Sequence, residues 1–169
     1  MNLARLAPLL LTLSTSVLAG GAGGPAPASG CVPGFVQPSP AALTRALAAA
    51  QVRWKATGIH DYSYTFEQIA QPVRFPPTRI EVSGKAVRAT ALTGGDPSVY
   101  AQKASVEGLY RFIRDAIAFA RSEPCAELKV EYAPDGRPLR FSSQLQTPIT
   151  ANAIADGGAS WTVSDFRRR

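Results

Sequence analysis

The chain predicts an α+β domain of two layers, an antiparallel sheet with two helices on one face, in the order α-βββ-α-βββ. Three observations carry this. Apolar residues recur at helical spacing from Leu43 to Trp54 and again from Val106 to Ala120. Each of these segments is followed by short period-two runs separated by turn residues, and strands joined by short turns pair antiparallel. The runs keep one polar side, which leaves the other for the helices.

Ahead of the domain, Met1 to Arg5 is a short charged start and Leu6 to Ala19 an apolar run ending in small residues. That is the layout of a secretory signal peptide over residues 1–19. The run is shorter than the ~20 apolar residues that cross a bilayer, and no transmembrane segment is expected in the mature chain. Residues 20–38 are rich in Gly, Ala, Pro and Ser and read as a flexible tether. No strand precedes these glycines and no Gly-Lys-Ser/Thr follows, which excludes a phosphate loop. Within this stretch Val32 to Gln37 is placed as a segment lying along the domain, held by Cys31 and Phe35.

The domain itself is assigned to residues 39–166, with 167–169 as a basic tail. Ser39-Pro40 reads as an N-cap followed by proline at the first helical position. Leu43, Leu47, Ala50 and Trp54 give the buried stripe of a helix over 40–57, and Gly58 stops it. Tyr62 to Glu67 alternates as a strand with one buried face, and Phe75-Pro76-Pro77 interrupts any ladder. Thr78–Ser83 and Ala86–Leu92 form a hairpin through Gly84-Lys85, and Gly94-Gly95-Asp96-Pro97 is a loop. Ser105 caps the second helix, with Val106, Leu109, Tyr110, Ile113, Ile117 and Ala120 inward. Glu107 and Arg111 face out, four apart in the order that favours an ion pair. Pro124 ends that helix. Leu128, Val130 and Tyr132 alternate with Glu127, Lys129 and Glu131 as a strand, Pro134-Asp135-Gly136 turns it into Leu139–Leu145, and Ala159–Phe166 is the last strand. The two halves suggest a duplicated α-βββ unit, without sequence identity between them.

Candidate chemistry is sparse. His60 is the only histidine. Asp61 is adjacent, but neighbours at a strand start point different ways, and no Gly-x-Ser-x-Gly elbow accompanies them. One histidine and two distant cysteines do not supply a zinc site, and Asp156-Gly157-Gly158 lacks the alternating acidic ligands of a calcium loop and reads as a turn. No cofactor is expected. Glu127 and Glu131 share a strand face with Lys129 between them and Arg140 opposite, a pattern that cross-strand ion pairing explains better than a paired-carboxylate active site. Tyr62, Tyr64, Phe66, Tyr110, Tyr132 and Trp161 each fit an inward position, so core is expected in place of a ligand groove.

The formal charge is +6. A solvated surface is the expected reading, and Arg167, Arg168 and Arg169 are the candidate contacts to an anionic envelope component. Arg45, Arg53 and Lys55 lack interleaved aromatics, so no nucleic-acid partner is expected. An even cysteine count in an exported chain favours a Cys31–Cys125 disulfide, whose long loop stabilises by ~4 kcal/mol in the chain-entropy model. The alternative is a lipid-modified Cys31, although a lipobox would abut the apolar run and Gly20 to Ser29 intervenes.

Trp54, then Gly58-Ile59-His60-Asp61-Tyr62-Ser63-Tyr64-Thr65-Phe66, Ile80-Glu81-Val82 and Gly84-Lys85-Ala86-Val87 resemble a family of small exported bacterial proteins catalogued as a domain of unknown function. Ser105 to Tyr110 resembles that family's helix start, and Val130-Glu131-Tyr132 with Asp135-Gly136-Arg137-Pro138 its hairpin. The resemblance spans residues 50–166. It implies a periplasmic, envelope or extracellular location and no particular chemistry. Relatives carry cysteines just after the first strand, where this chain has Glu67-Gln68-Ile69-Ala70, which leaves Cys31 as the partner available to Cys125. The expected function is a non-enzymatic module that binds a protein or an envelope component, exposing an apolar or aromatic patch of several hundred Å². The alternative is an envelope hydrolase that uses His60.

Overall fold

The structure, a computed structural model, describes residues 30–148 and 158–169. The signal peptide over 1–19, residues 20–29 of the tether, and Asp156 and Gly157 of the expected turn lie outside the described residues.

Helix α1 spans Pro40–Thr57. Ser39 caps it by accepting a hydrogen bond from the Ala42 N–H, and Gly58, at φ 64°, closes it with its N–H on the Lys55 carbonyl. Helix α2 spans Val106–Ser122 and starts on Ser105, whose hydroxyl accepts from the Gly108 N–H. Its buried face is Val106, Leu109, Tyr110, Ile113, Ile117 and Ala120, the stripe given by the periodicity. The strands are β1 Asp61–Ala70, β2 Val73–Arg74, β3 Thr78–Ser83, β4 Ala86–Ala91, β5 Ala126–Tyr132, β6 Pro138–Leu145 and β7 Ala159–Arg168. They form one antiparallel sheet in the order β4-β3-β1-β7-β6-β5, with β2 paired to the end of β1.

Four features differ from the sequence expectation. Strand β1 is buried on both faces from Tyr62 to Phe66. It runs through the middle of the sheet, and its outward Ser63 and Thr65 are short. Their register partners Glu81, Arg79 and Arg167 on β3 and β7 are long and shade them. An additional strand, β2, precedes the prolines: the chain reverses after Ala70, and Val73 and Arg74 pair with Ala70 and Ile69. Pairing stops ahead of Pro76-Pro77, which have no N–H to give. Strand β7 runs on through Arg168, so Arg167 and Arg168 belong to the sheet, opposite Ser63 and Tyr62. Finally, the two α-βββ units are not copies. Both cross the sheet in the same lateral direction, with opposite strand polarity and with helices on the same face, which makes them opposite in hand.

The helices cover Tyr62, Tyr64, Phe66, Ile80, Val82, Phe141 and Trp161. Buried hydroxyls need partners, and the backbone of the second helical segment supplies them. The Tyr62 hydroxyl accepts from the Val106 N–H at 2.9 Å, and the Tyr64 hydroxyl donates to the Ala104 carbonyl. Tyr110 reaches from α2 to the Ala50 carbonyl of α1 at 3.2 Å and to the Gly136 carbonyl in the β5–β6 turn at 2.9 Å.

Cys31 is disulfide-bonded to Cys125. The same corner is held by Val32 N–H on the Gln146 carbonyl and Gln146 N–H on the Cys125 carbonyl, each at 2.8 Å. Gln37 donates its side-chain amide to the Ala120 and Glu123 carbonyls at 2.6 and 2.8 Å, satisfying acceptors that the end of α2 leaves open. Residues 31–38 are therefore bound to the domain as an arm.

Gly136 sits at φ 96° where the β5–β6 turn meets α1, and a Cβ there would lie 2.1 Å from the Ala50 carbonyl oxygen. Gly84, in the β3–β4 turn at φ 55°, has open space around it. Gly136→Ala is expected to cost about 3 kcal/mol through strain plus the backbone clash, and Gly84→Ala about 1 kcal/mol through conformation alone. Urea unfolding of both variants checks this, and equal losses would show that the close approach does not matter.

Candidate functional site

A cleft opens where α1 ends, β1 begins and α2 starts. One part, about 450 Å³, lies between Trp54, Lys55, Gly58 and Ile59 of the first helix end and Glu107, Tyr110, Arg111 and Arg114 of α2. A second part, about 600 Å³, continues toward the β3–β4 turn and is bordered by Lys85, Lys103 and Ser105. Ile59, His60, Glu107 and Arg111 border both, so the two parts join. Volumes of this order suit a small ligand or a stretch of chain.

The side chains reach the cleft for local reasons. Lys55 is in the last turn of α1, where the helix dipole favours a cation. Lys85 is in the two-residue β3–β4 turn, and Lys103 ends the 3-10 turn Ala101–Lys103. Arg111 and Arg114 stand one and two turns into α2, on its exposed side.

Glu107 does not pair with Arg111 as their spacing suggests. Its carboxylate accepts the Trp54 indole N–H at 2.9 Å. The Trp54 indole is buried and takes Glu107 as its acceptor, so a tertiary partner engages the carboxylate that the local spacing assigns to Arg111. Among the described residues, Lys55, Lys85, Lys103, Arg111 and Arg114 have no ion-pair partner. The cleft thus carries five unpaired cations around one carboxylate that is already engaged.

His60 is exposed and borders the cleft. Asp61 does not orient it. The Asp61 carboxylate accepts from the Ser83 hydroxyl at 2.9 Å and the Gly84 N–H at 3.1 Å, locking the β3–β4 turn. Among the described residues, no side chain is hydrogen-bonded to the imidazole.

The other candidates lie elsewhere. Tyr62, Tyr64, Phe66, Tyr110 and Trp161 are buried in the core, and Tyr132 is half-buried. The exposed aromatics are Tyr100, at 55 %, and Phe119, at 49 %; neither stood out in the sequence, because no periodic pattern marks them. Tyr100 packs edge-on against Phe112. Glu127 pairs with Lys129 at 2.7 Å and accepts from Gln144 and Gln146; the Lys129 bond, then the Gln144 bond, holds its carboxyl below the usual range. Glu131 lies across from Arg140 at 3.8 Å. Arg169 is bound to Glu81 through its side chain and to the Asp61 carbonyl through its N–H. None of Arg167, Arg168 and Arg169 borders the cleft. Among the described residues, no three His, Cys, Asp or Glu side chains group as metal ligands, and no helix is long and apolar enough to cross a membrane.

A model of a family of unknown function, DUF6174, matches residues 46–168. The chain belongs to that family. No curated protein and no solved structure matches the chain. The DUF6174 match begins inside α1 and ends in β7, so it contains the whole cleft and Cys125 but not Cys31 or the arm.

Tyr110 and Tyr62 border the two parts of the cleft. Burial pushes the hydroxyls of Tyr62, Tyr64 and Tyr110 well above the ordinary tyrosine range, with the Glu107 charge acting the same way, and burial raises Tyr132 to about 12. Their folded-state values are raised, so the stability they contribute is present below pH ~10 and is lost above it, where the unfolded chain ionises first. Alkaline titration followed at the tyrosinate absorbance is expected to show these residues ionising together with loss of near-UV circular dichroism. Ionisation of four tyrosines with the fold intact would contradict their placement.

Proposed function

We propose that this chain is a non-enzymatic binding module of an exported, oxidising location, and that it holds an anionic protein or envelope component in the basic cleft. The observation that carries this reading is the set of unpaired cations at Lys55, Lys85, Lys103, Arg111 and Arg114 around the single engaged Glu107. Like charges gathered without partners repel one another, and a cleft lined by one sign of charge concentrates ligands of the other. The Cys31–Cys125 disulfide supports the compartment, because such bonds persist where thiols are not kept reduced. Arg167 to Arg169 are a secondary contact in this reading, since Arg169 is already held by Glu81.

A second reading has one observation in its favour. His60 borders a concave site at the start of β1, where a hydrolase using this histidine would have it. Asp61 and Glu107 accept from other groups, and neither orients the imidazole.

In-cell cross-linking of the tagged mature protein separates these. The partner captured by the parent protein is expected to be lost when Lys55, Arg111 and Arg114 are all changed to Glu, and to be retained in His60→Ala. All three cations are exposed, so the fold should survive the change. Capture indifferent to the three charges would contradict the binding role of the cleft. A hydrolytic activity abolished by His60→Ala would establish the second reading.

A further inference from the structure

The cleft does not stop at Arg114. Gln51 and Arg114 also border a groove of about 430 Å³ that runs on between α1 and α2 to Arg121, over Leu47, Ala48 and Ile117. Arg111, Arg114 and Arg121 are separated by three and seven residues, which puts them on one stripe of α2. From Arg111 to Arg121 the stripe is ~15 Å long at the helical rise. The helix seam is therefore a shallow apolar floor, exposed Ala48 and Ala118 over the buried Leu47 and Ile117, flanked by a ladder of arginines and open at one end to Lys55, Lys85 and Lys103. Among the described residues Arg121 also has no carboxylate partner; it donates to the Thr44 hydroxyl at 3.2 Å.

We infer that the occupant of this seam is an acidic amphipathic segment of another polypeptide, which lays apolar side chains between the helices and sets Asp and Glu against the arginine ladder. The inference rests on the binding reading above and names its partner. Charge complementarity gives the sign of the ligand, and the floor gives its class. The lining of that stretch is aliphatic and contains no aromatic side chain, so no ring face is offered there for stacking a sugar or a base. The cations border a concave seam, which receives a chain, where a planar lipid surface would need them on a convex one. Apolar anchors in a groove with charged flanks are the means by which amphipathic segments are recognised.

The test is fluorescence anisotropy with the intact mature protein and a labelled synthetic peptide of about eighteen residues, Leu at helical spacing and Glu between. The same titration is run with a peptide in which Gln replaces every Leu, and with phosphatidylglycerol vesicles. Saturable binding of the Leu/Glu peptide is expected. It should weaken at least ~tenfold in Arg111→Glu/Arg114→Glu and stay unchanged in Arg88→Glu, an exposed cation on the opposite face of the sheet. The Gln peptide should bind at least ~tenfold more weakly. Equal binding of the two peptides, or tighter charge-dependent binding to the vesicles, overturns the inference while leaving the basic cleft as the binding site. If no probe senses Arg111→Glu/Arg114→Glu, the inference and the reading beneath it both fail.

Discussion

Two tyrosine hydroxyls on β1 hold the start of α2, and most of the molecule's useful geometry depends on them. Tyr62 and Tyr64 are carried by the central strand and lie beneath the helices, where an unpaired hydroxyl would be costly. The Val106 N–H is among the donors that a helix start leaves unpaired, and Tyr62 accepts it. The Ala104 carbonyl, in the segment leading into α2, takes the Tyr64 proton. Each side supplies what the other lacks, which fixes α2 along its axis relative to the sheet. With α2 fixed, Glu107 falls beneath the Trp54 indole, Tyr110 reaches both α1 and the β5–β6 turn, and Arg111 and Arg114 face the end of α1.

How much of this the sequence discloses depends on how local each feature is. Helix α2 is legible in full, because capping by Ser105 and the spacing of Val106 to Ala120 are properties of one segment. The β3–β4 and β5–β6 hairpins are legible from Gly84-Lys85 and Asp135-Gly136 for the same reason. The double burial of β1 is not, since Ser63 and Thr65 look like a solvated face until long neighbours on β3 and β7 are set beside them. The Glu107–Arg111 spacing predicts a pair by a correct local rule that a tertiary indole overrides. Gln37 carries no pattern at all and acts only because the arm brings it to the end of α2.

The cleft is the least legible part. Its cations come from the last turn of α1, a β-turn, a 3-10 turn and the outer side of α2. Sequence proximity instead groups Arg45, Arg53 and Lys55 on one helix and draws attention to Arg167 to Arg169, which the sheet and Glu81 absorb. Only the assembled fold shows that separate solvated charges become one surface. The two carboxylates beside His60, Asp61 and Glu107, are likewise set by tertiary partners, the Ser83 hydroxyl and the Trp54 indole.

The measurement that bears most directly on this account is native-state hydrogen exchange of the Tyr62→Phe/Tyr64→Phe variant against the parent protein. Removing both hydroxyls leaves the Val106 N–H and the Ala104 carbonyl buried without partners, at ~1–3 kcal/mol each. If the tyrosines hold α2 in place, amides in its first turns, including Leu109 and Tyr110, will exchange at least ~tenfold faster while β5 and β6 keep their protection. Unchanged exchange at the start of α2, or a uniform loss across the whole sheet, would contradict the claim that these two hydroxyls position the helix on which the cleft is built.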